Sequence, residues 1–428
     1  MNLVKSKKHR YDPPLARQAD QDTLISANNT LAFDLYQKLK NGGGNLFFSP
    51  YRISSALTMI CAGARGENLE EMANVLHIVP LLDKFWLGCA TNLGVLRSVT
   101  SQDRLHRALS RIDYDLKQRG VLGKDRPKDT FCLHVANTIW GQEDYEFLPQ
   151  FLDVLAECYE SGVRTLDFAK DPERSRLTIN EWVADQTGER IKDLLPQGFV
   201  HEMTRLILTS TTYFLAQWKY RFSKQATSGG IFHLLNHNKI TVPMMRREAE
   251  LKYAKGDCYQ AMELPYDNCE ISMVILFPKP NRFETFQRSL DTDLVNNVLM
   301  KLKNEDIGLV MPKFEFSSSF NLSSTLTTMG MGLAFSDKGD FSGMTGSNDL
   351  FLSDMLHRSF VSVDEAGTEA VAATASVLGT GRSARVHEVT IDAPFIFLIR
   401  DVKTGNIFFI GRVTNPSLVT DAPLSSMC

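Results

Sequence analysis

The sequence predicts an α+β fold built as one large domain. Apolar residues at helical spacing dominate the first half of the chain, and short apolar strands dominate the second half. Strands that lie far apart in the sequence must then pair with one another, which is typical of α+β folds rather than of alternating βαβ units. The 428 residues are 43% hydrophobic and 23% charged, and no Pro/Gly/Ser-rich linker divides them.

Helices in the first half are predicted from apolar residues that recur three or four positions apart. The helix that contains Leu31 and Leu35 ends at the Asn-Gly-Gly-Gly run of residues 41–44. A short strand at Phe47 turns into a second helix, which begins at Pro50. Further helices are predicted at residues 68–76, 148–160 and 177–186, an interrupted helical pattern at 79–128, and strands at 135–140 and 206–214.

The second half is predicted to be mostly β-strand. Short runs of apolar and β-branched residues lie between turn residues at 261–264, 271–277, 307–310, 313–316, 360–363, 389–391, 395–399 and 407–410. The last two strands are joined by residues 400–405, which end in Thr404-Gly405 and indicate a hairpin.

The chain ends are predicted to lie outside the folded domain. Residues 1–21 are basic and polar, so we expect a flexible N-terminal tail rather than a secretory signal peptide. The folded domain is expected to span residues 22–416, and residues 417–428 are expected to form a C-terminal tail. Without a signal, and with seven scattered cysteines that form no CxxC motif, the cytoplasm is the expected compartment. Unconventional export stays open as the alternative.

Charge and hydropathy exclude several kinds of partner. The net charge of −3 argues against a general nucleic-acid binder, and no apolar run approaches the length of a membrane span. We therefore expect binding to neither nucleic acid nor a membrane. The chain is also expected to be a monomer.

Residues 364–383 form the most distinctive segment of the chain. Every second residue from position 368 to position 376 is small, and in a strand these residues would share one face: Thr368, Ala370, Ala372, Thr374 and Ser376. Because successive side chains of a strand point to opposite faces, such a strand could lie over a packed core without clashing. Gly367 precedes these residues and Gly379 and Gly381 follow them, as in an exposed, flexible loop. The segment therefore suits both a strand within a sheet and an exposed loop.

Motifs of an enzyme active site are missing from the sequence. There is no GxSxG elbow, no Gly-rich phosphate loop with a following Lys, and no HExxH. His201-Glu202 lacks a second histidine at helical spacing, and Gly379-Thr380-Gly381 lacks the strand–turn–helix context of a dinucleotide site. We expect no enzymatic activity, no cofactor and no metal.

A series of short motifs occurs in order along residues 22–416. The motifs include Asn45-Leu46-Phe47-Phe48-Ser49-Pro50, Ile179-Asn180-Glu181-Trp182-Val183, Val242-Pro243-Met244-Met245, Glu263-Leu264-Pro265-Tyr266, Pro312-Lys313-Phe314 and Asp340-Phe341-Ser342-Gly343. Together they resemble the serpins, a family of serine protease inhibitors. The resemblance implies the serpin fold, a single large domain with three β-sheets and about nine helices, and a reactive-centre loop at about residues 365–388.

What the resemblance implies for function is a suicide substrate. In this family a protease cleaves the exposed loop to an acyl-enzyme, and the cut loop inserts as a new central strand of the main sheet, which traps the protease. Such a mechanism needs a native state that is kinetically trapped above a more stable inserted form.

Two bonds compete as the reactive bond. Counting from Glu365 at the family's usual spacing gives Gly381-Arg382. A trypsin-like protease needs a long cation for its acidic specificity pocket, and this chemistry favours Arg382-Ser383. We expect a trypsin-like target and cleavage after Arg382, with Gly381 as the alternative and Arg385 behind both.

The resemblance also implies a hinge and a gate for insertion. The hinge consists of Glu365, Gly367, Thr368, Glu369, Ala370, Val371, Ala372, Ala373 and Thr374. The gate consists of Ser49, Arg52, Ser210, His357, Trp218 and Lys313. Glu365 and Lys313 would form an ion pair, with Trp218 packed nearby, and Ser49 and His357 would belong to a hydrogen-bonded cluster where the central strands part.

This chain departs from the family pattern within the gate. Arg52 replaces a serine and Ser210 replaces an asparagine, so we expect the hydrogen-bonded cluster to be altered. A non-inhibitory serpin that acts as a binding, carrier or chaperone-like protein is the alternative function. The small residues of the hinge favour inhibition, since non-inhibitory members tend to carry bulky, charged or proline residues there.

Two other segments stay open. Arg104, Arg107 and Arg111 share one predicted helical face, where some serpins bind heparin-like polyanions. Asp113 and Asp115 dilute this patch, so the alternatives are a weak polyanion site and an ordinary solvated face. Residues 80–102 resemble an insertion relative to the family, which could cover a surface or contact a partner.

Overall fold

The fold is described from a computed structural model, which covers residues 1–9, 14–82, 95–119, 131–267, 269–368 and 386–418. The α-helices are α1 (Gln18–Leu39), α2 (Pro50–Cys61), α3 (Gly66–Val75), α4 (Val95–Arg119), α5 (Pro149–Tyr159), α6 (Pro172–Gln186), α7 (Phe283–Arg288), α8 (Thr292–Lys301), α9 (Ser323–Thr328) and α10 (Ser342–Thr345). The first eight strands are β1 (Asn2–Val4), β2 (Leu46–Phe48), β3 (Phe131–Gln142), β4 (Val163–Leu166), β5 (Leu206–Gln217), β6 (Ser228–His233), β7 (Lys239–Lys255) and β8 (Tyr259–Pro265). The others are β9 (Ile271–Pro278), β10 (Lys303–Pro312), β11 (Phe314–Asn321), β12 (Asp354–Val363), β13 (Gly367–Thr368), β14 (His387–Thr390), β15 (Phe395–Asp401) and β16 (Ile407–Val413).

Local sequence explains where several helices begin and end. Pro50 is the first residue of α2, and the Ser49 hydroxyl accepts the Arg52 N–H at 3.3 Å. Asp171 caps α6 and Asp291 caps α8 in the same way. These side chains satisfy backbone N–H groups that have no partner within the helix.

A seven-stranded sheet, here called the central sheet, has the strand order β1-β4-β3-β5-β13-β12-β11. β5 and β12 run parallel and pair directly along most of their length. β13 is antiparallel to both and separates them only at one end. β5 and β12 are therefore paired directly through the centre of the sheet, and the two-residue strand β13 lies between them at one end only.

The remaining strands form a second network in the order β14-β10-β7-β8-β9-β15-β16-β2, with β6 also paired to β7. β7 is 17 residues long. It pairs with β6 through its first residues and with β8 through its last four, so two sheets share this strand. Helix α2, in which every residue is buried, contacts β3 and β5 of the central sheet and β16 of the second network. The core lies between these layers.

The N-terminal residues differ from the predicted flexible tail. Asn2–Val4 form β1, which pairs antiparallel with β4 at the edge of the central sheet, and α1 begins at Gln18. The prediction of a tail over residues 1–21 was wrong for these two stretches. Its basic composition hid the strand, because the apolar pair Leu3-Val4 is too short for a periodic pattern and its partner strand lies far away in the sequence.

Most other predicted elements agree with the structure, but β4, β6, β7 and the short helices α7 to α10 were not predicted. The long strand β7 was not predicted, because Pro243 and the charged residues of its second half interrupt the apolar pattern. The helices α7 and α8 were also missed, since each is only a few turns long. In the interrupted region at 79–128, α4 spans Val95–Arg119.

The described residues offer neither a membrane span nor a metal site. None of their helices is both long and apolar enough to cross a membrane. Within the same ranges, no group of three or more His, Cys, Asp or Glu side chains could hold a metal ion. Cys61 and Cys158 are buried, and the thiols of Cys258 and Cys269 are free.

We predict that Gly411→Ala destabilises the fold. A Cβ at Gly411, in β16, would lie 2.3 Å from the ring of Phe397, which stacks against Phe47. Overpacking of this kind costs about 1–3 kcal/mol, so the urea midpoint of unfolding should fall. Gly229→Ala is the matched control, because its Cβ would meet only Thr241 at 3.4 Å and should change stability by less than about 0.5 kcal/mol. Equal midpoints for the two variants would contradict this packing.

Candidate functional site

The chain reverses direction where the small-residue segment begins. Asp364 N–H donates to the Gly367 carbonyl (2.9 Å), and the Asp364 carboxylate accepts the N–H groups of Ala366 (2.8 Å) and Gly367 (3.1 Å). This tight turn folds β13 back onto β12, with Thr368 opposite Val363. On its other side, β13 pairs with β5. The first residues of the predicted hinge thus lie as a strand between β5 and β12.

Beyond this point β5 and β12 are direct neighbours. Their parallel register runs from Ile207 opposite Asp354 to Tyr213 opposite Phe360, seven residue pairs in all. A strand that continued from Thr368 between them would have to separate these pairs.

Gly367 and Thr368 are closely packed at the end of the central sheet where β13 separates β5 from β12, here called the mouth of the sheet. A Cβ on Gly367 would lie 2.1 Å from the Ala216 carbonyl oxygen, so only glycine fits here without a shift of the backbone. Thr368 is fully buried, and its hydroxyl lies 2.7 Å from the hydroxyl of Tyr266. Burial raises the pKa of Tyr266, which keeps the phenol protonated and able to share this hydrogen bond.

Trp218 joins the turn to the mouth. Its ring stacks on Tyr266, with centroids 4.6 Å apart and planes 7° from parallel. The indole N–H donates to the Asp364 carbonyl (3.0 Å), and the Trp218 backbone N–H donates to the Ala366 carbonyl (2.9 Å). Trp218 therefore holds both the turn and the tyrosine that contacts Thr368.

Glu365 and Lys313, paired by the resemblance, are close in the structure. Lys313 Nζ donates to Glu365 Oε2 at 2.8 Å, and the Thr227 hydroxyl donates to Oε1 at 2.7 Å. Burial by itself would raise the pKa of Glu365, but the hydrogen bonds from Lys313 and Thr227 outweigh it and the pKa is lowered. Glu365 is therefore a carboxylate that anchors the turn.

Through two hydrogen bonds, His357 of β12 connects the start of α2 to β5. Its Nε2 accepts the Ser49 N–H at 3.1 Å, so in the neutral ring Nδ1 carries the proton, which it donates to the Ser210 hydroxyl at 3.2 Å. The Ser49 hydroxyl donates to the Phe408 carbonyl at 2.7 Å. His357 in β12 lies opposite Ser210 in β5, so their contact crosses the pair of strands that insertion would separate. Burial lowers the pKa of His357 to about 3.

Arg52 turns away from this cluster. Its guanidinium donates to Asp113 of α4 at 2.9 Å, and the hydroxyl of Tyr51 donates to the same carboxylate at 3.0 Å. The Arg52 carbonyl accepts from the Asn137 side chain of β3 at 3.1 Å. Arg52 therefore joins α2 to α4 and β3, whereas Ser210 is the substituted residue that lies in the His357 cluster.

The three arginines of α4 are paired with aspartates. Their ion pairs are Arg104–Asp20 (2.6 Å), Arg107–Asp103 (2.6 Å) and Arg111–Asp115 (3.0 Å). Each guanidinium has a carboxylate neighbour, which reduces the positive potential that a polyanion would need.

Several predicted site residues lie outside the described residues. These are Glu369, Ala370, Val371, Ala372, Ala373 and Thr374 of the hinge, and Gly381, Arg382, Ser383 and Arg385 around the reactive bond. Residues 83–94, within the segment resembling an insertion, are also outside them.

Two residues of the site were not predicted from the sequence. Tyr266 belongs to one of the sequence motifs, and its hydroxyl contacts Thr368 of the predicted hinge. Asp113, predicted to dilute a basic patch, is the ion-pair partner of Arg52. A buried position for Arg52 would have signalled an acidic partner, because buried guanidinium groups are almost always paired.

The sequence model of the serpin family, described as serine protease inhibitor, matches residues 26–416. The chain therefore belongs to the serpin family. A serpin-like protein of Thermococcus kodakarensis is 35% identical over 410 residues, which cover 95% of this chain and 88% of that protein. Human leukocyte elastase inhibitor is 33% identical over 407 residues, covering 92% of this chain and 100% of its own length. The solved structure of human thyroxine-binding globulin has a TM-score of 0.78 at 25% identity, covering 93% and 100% of the two chains. The predicted serpin fold is confirmed.

We predict that the Tyr266–Thr368 hydrogen bond holds the hinge in the sheet. In Tyr266→Phe the buried Thr368 hydroxyl loses its partner, which costs about 1–3 kcal/mol and lowers the thermal midpoint. The double variant Tyr266→Phe/Thr368→Val removes both hydroxyls and should regain most of that loss, because apolar groups of similar shape replace the pair. Additive losses, measured by thermal unfolding, would show that the two hydroxyls are not coupled.

We predict that His357 makes the protein less stable in acid. Its folded-state pKa of about 3 lies below the value of about 6.5 for an unfolded chain, so below pH 6.5 the unfolded state binds the proton first. Stability should fall by about 2 kcal/mol for this residue alone between pH 7 and pH 5. His106, whose pKa burial likewise lowers to about 3, adds a similar loss.

The test compares urea unfolding at pH 7 and pH 5. His357→Gln should lose about half of the pH dependence that the two buried histidines produce. The exposed His201 provides the control, since His201→Gln should retain the full pH dependence. A slope in His357→Gln equal to that of the unsubstituted protein would contradict the prediction.

Proposed function

We propose that this serpin is an inhibitor of a trypsin-like serine protease, cleaved at Arg382-Ser383 and acting as a suicide substrate. The protease serine attacks the Arg382 carbonyl, the peptide bond to Ser383 breaks, and the new α-amino group of Ser383 leaves. The protease remains attached to Arg382 as an ester. Insertion of the loop into the central sheet then competes with hydrolysis of that ester.

The position of β13 is the observation that carries this proposal. Gly367 and Thr368 lie antiparallel between β5 and β12, in the orientation that an inserted loop would need along its whole length. Every second residue after Thr368 in the sequence is small, so a strand that continued from Thr368 would carry small side chains on the same face. Each further residue that inserts can pair with both neighbouring strands, which favours the inserted state.

The contacts beneath the strands support a gate. The His357–Ser210 hydrogen bond crosses between β12 and β5 and must break when they separate. Ser49 holds the other side of the imidazole from the start of α2. We therefore propose that Ser49, His357 and Ser210 restrain opening, and that Lys313, Glu365 and Trp218 position the hinge at the mouth. We assign Arg52 to the α2–α4 contact.

The relatives support protease inhibition in general. Which protease is the target depends on the residue at the reactive bond. Leukocyte elastase inhibitor is named for an elastase, whereas Arg382 of this chain offers a long cation. Cleavage after Gly381 would instead suit an elastase-like protease, which accepts small side chains. The paired arginines of α4 support a solvated face rather than a polyanion site. The free thiols of Cys258 and Cys269 support a reducing compartment such as the cytoplasm.

A carrier function is the second candidate. It is favoured by the likeness to thyroxine-binding globulin, which is named for the ligand that it binds. A carrier need not insert its loop, so the two functions differ in whether the sheet expands after the loop is cleaved.

We predict that trypsin forms a covalent complex with the protein that survives SDS. Arg382→Ala should slow complex formation by about thirtyfold or more, because removing one partner of a buried charge pair costs about 2–5 kcal/mol. Arg385→Ala removes a nearby arginine as the matched control and should change the rate little. The measurements are gel electrophoresis and the mass of the released C-terminal peptide.

The cleavage products discriminate between the alternatives. A peptide that begins at Ser383 supports Arg382 as the reactive residue, and one that begins at Arg382 supports Gly381 and an elastase-like target. Cleavage without a covalent complex and without a rise in thermal stability would contradict inhibition and favour the carrier function.

A further inference from the structure

The N-terminal arm, defined here as residues 2–8, is an added strand at the edge of the central sheet. Asn2, Leu3 and Val4 pair with Thr165, Arg164 and Val163 of β4. Val4 also packs against the hydrophobic core, and the Asn2 side chain donates to Glu143 at 3.3 Å. The arm therefore covers the hydrogen-bonding edge that β4 would otherwise present to solvent.

The far end of the arm is bound to helix α5 instead of the sheet. The Ser6 hydroxyl donates to Asp153 at 2.6 Å, and Lys8 Nζ lies 2.9 Å from Asp153 and 3.1 Å from Glu157. The hydrogen bond from Ser6, followed by that from Lys8, lowers the pKa of Asp153. A basic segment thus meets two carboxylates one helical turn apart.

Gly162, just before β4, leaves space that the arm occupies and that a larger residue would fill. A Cβ at this position would lie 2.5 Å from the Val4 carbonyl oxygen and 2.8 Å from Lys5 Cβ. The first of these atoms is backbone, which cannot move aside as a flexible side chain can. The arm and the body are fitted to each other at this point.

We propose that the N-terminal arm is a detachable strap that slows the opening of the central sheet, and that its site on β4 and α5 binds an extended basic peptide. The proposal rests on the proposed function in one respect, namely that β5 and β12 separate. A new central strand widens a sheet by about 4.8 Å, so one half of the sheet must slide by about that distance relative to the layer beneath it.

The arm can restrain the sheet because its two ends are attached to different elements, one to the central sheet and the other to helix α5. β1 pairs with the half of the sheet that contains β4, β3 and β5, whereas Ser6 and Lys8 bind α5. Sliding of that half relative to the helices would strain or break one of these attachments. Only a few contacts are involved, and the ion pairs of Lys8 are largely exposed, so the arm can delay opening without preventing it.

The test measures sheet opening directly. A labelled synthetic peptide with the sequence of residues 368–379 is incubated with the full chain and with a chain that lacks residues 1–9, and its uptake is followed by native gel electrophoresis and by the rise in thermal midpoint. We expect uptake to be roughly tenfold faster without the arm. A synthetic peptide of residues 1–9 should restore the slow rate, and a scrambled peptide of the same composition should not.

Point variants separate the strap from a general effect of shortening the chain. Lys8→Ala should speed uptake about two- to fivefold, whereas Lys7→Ala, with the same change of charge at an exposed neighbour, should not. Gly162→Ala should speed uptake in the full chain, where it displaces the arm, and should have no effect in the chain without the arm.

The outcomes distinguish this proposal from the proposed function. If neither chain takes up the peptide, the sheet does not open, and both insertion and the strap fail. If both chains take it up at the same rate, insertion stands and the strap is overturned. A shortened chain that dimerises yet takes up the peptide at the full-chain rate also overturns the strap, and assigns the arm to protection of the sheet edge.

Discussion

The direct pairing of β5 with β12 is the constraint on which the rest of the structure depends. It closes the centre of a sheet in which a neighbouring two-residue strand occupies only one end. The buried cluster of Ser49, His357 and Ser210 lies beneath this pair, and the Trp218–Tyr266 stack lies at its end. The stability of the closed state therefore depends on a small number of local contacts, in a protein whose core extends well beyond them.

The composition of β5 fits this position. Thr209, Ser210, Thr211 and Thr212 are consecutive, polar and fully buried. Hydroxyl groups can exchange one hydrogen-bond partner for another at little cost, whereas apolar side chains would bind their neighbours through close packing alone. The Thr209 hydroxyl, for example, accepts from the indole of Trp140 at 2.9 Å. A strand of this kind can be well ordered and still be able to change its neighbour.

The sequence was most informative where a local pattern carries the structure. Helical spacing located α1 and α2, short apolar runs located most strands, and the motif order brought Glu365 and Lys313 together across 52 positions. It failed where a contact depends on register between distant segments. Neither the pairing of Asn2 with Thr165 nor that of Arg52 with Asp113 leaves a periodic signal, because each depends on how two elements pack in three dimensions. Arg52 looked like a disturbance of the gate, yet its side chain pairs with α4 instead.

The turn at residues 364–367 has a kinetic consequence. Formation of a hairpin is slow mainly because its first contacts must order a loop before any pairing compensates for the lost entropy. Here Asp364 has already closed that loop, and Gly367 and Thr368 form the first rung between two strands. Any extension of β13 would therefore be propagation from an existing nucleus, comparable to the growth of a helix after its first turn. Its rate would be limited by the separation of β5 from β12, and no longer by the search for a correct register.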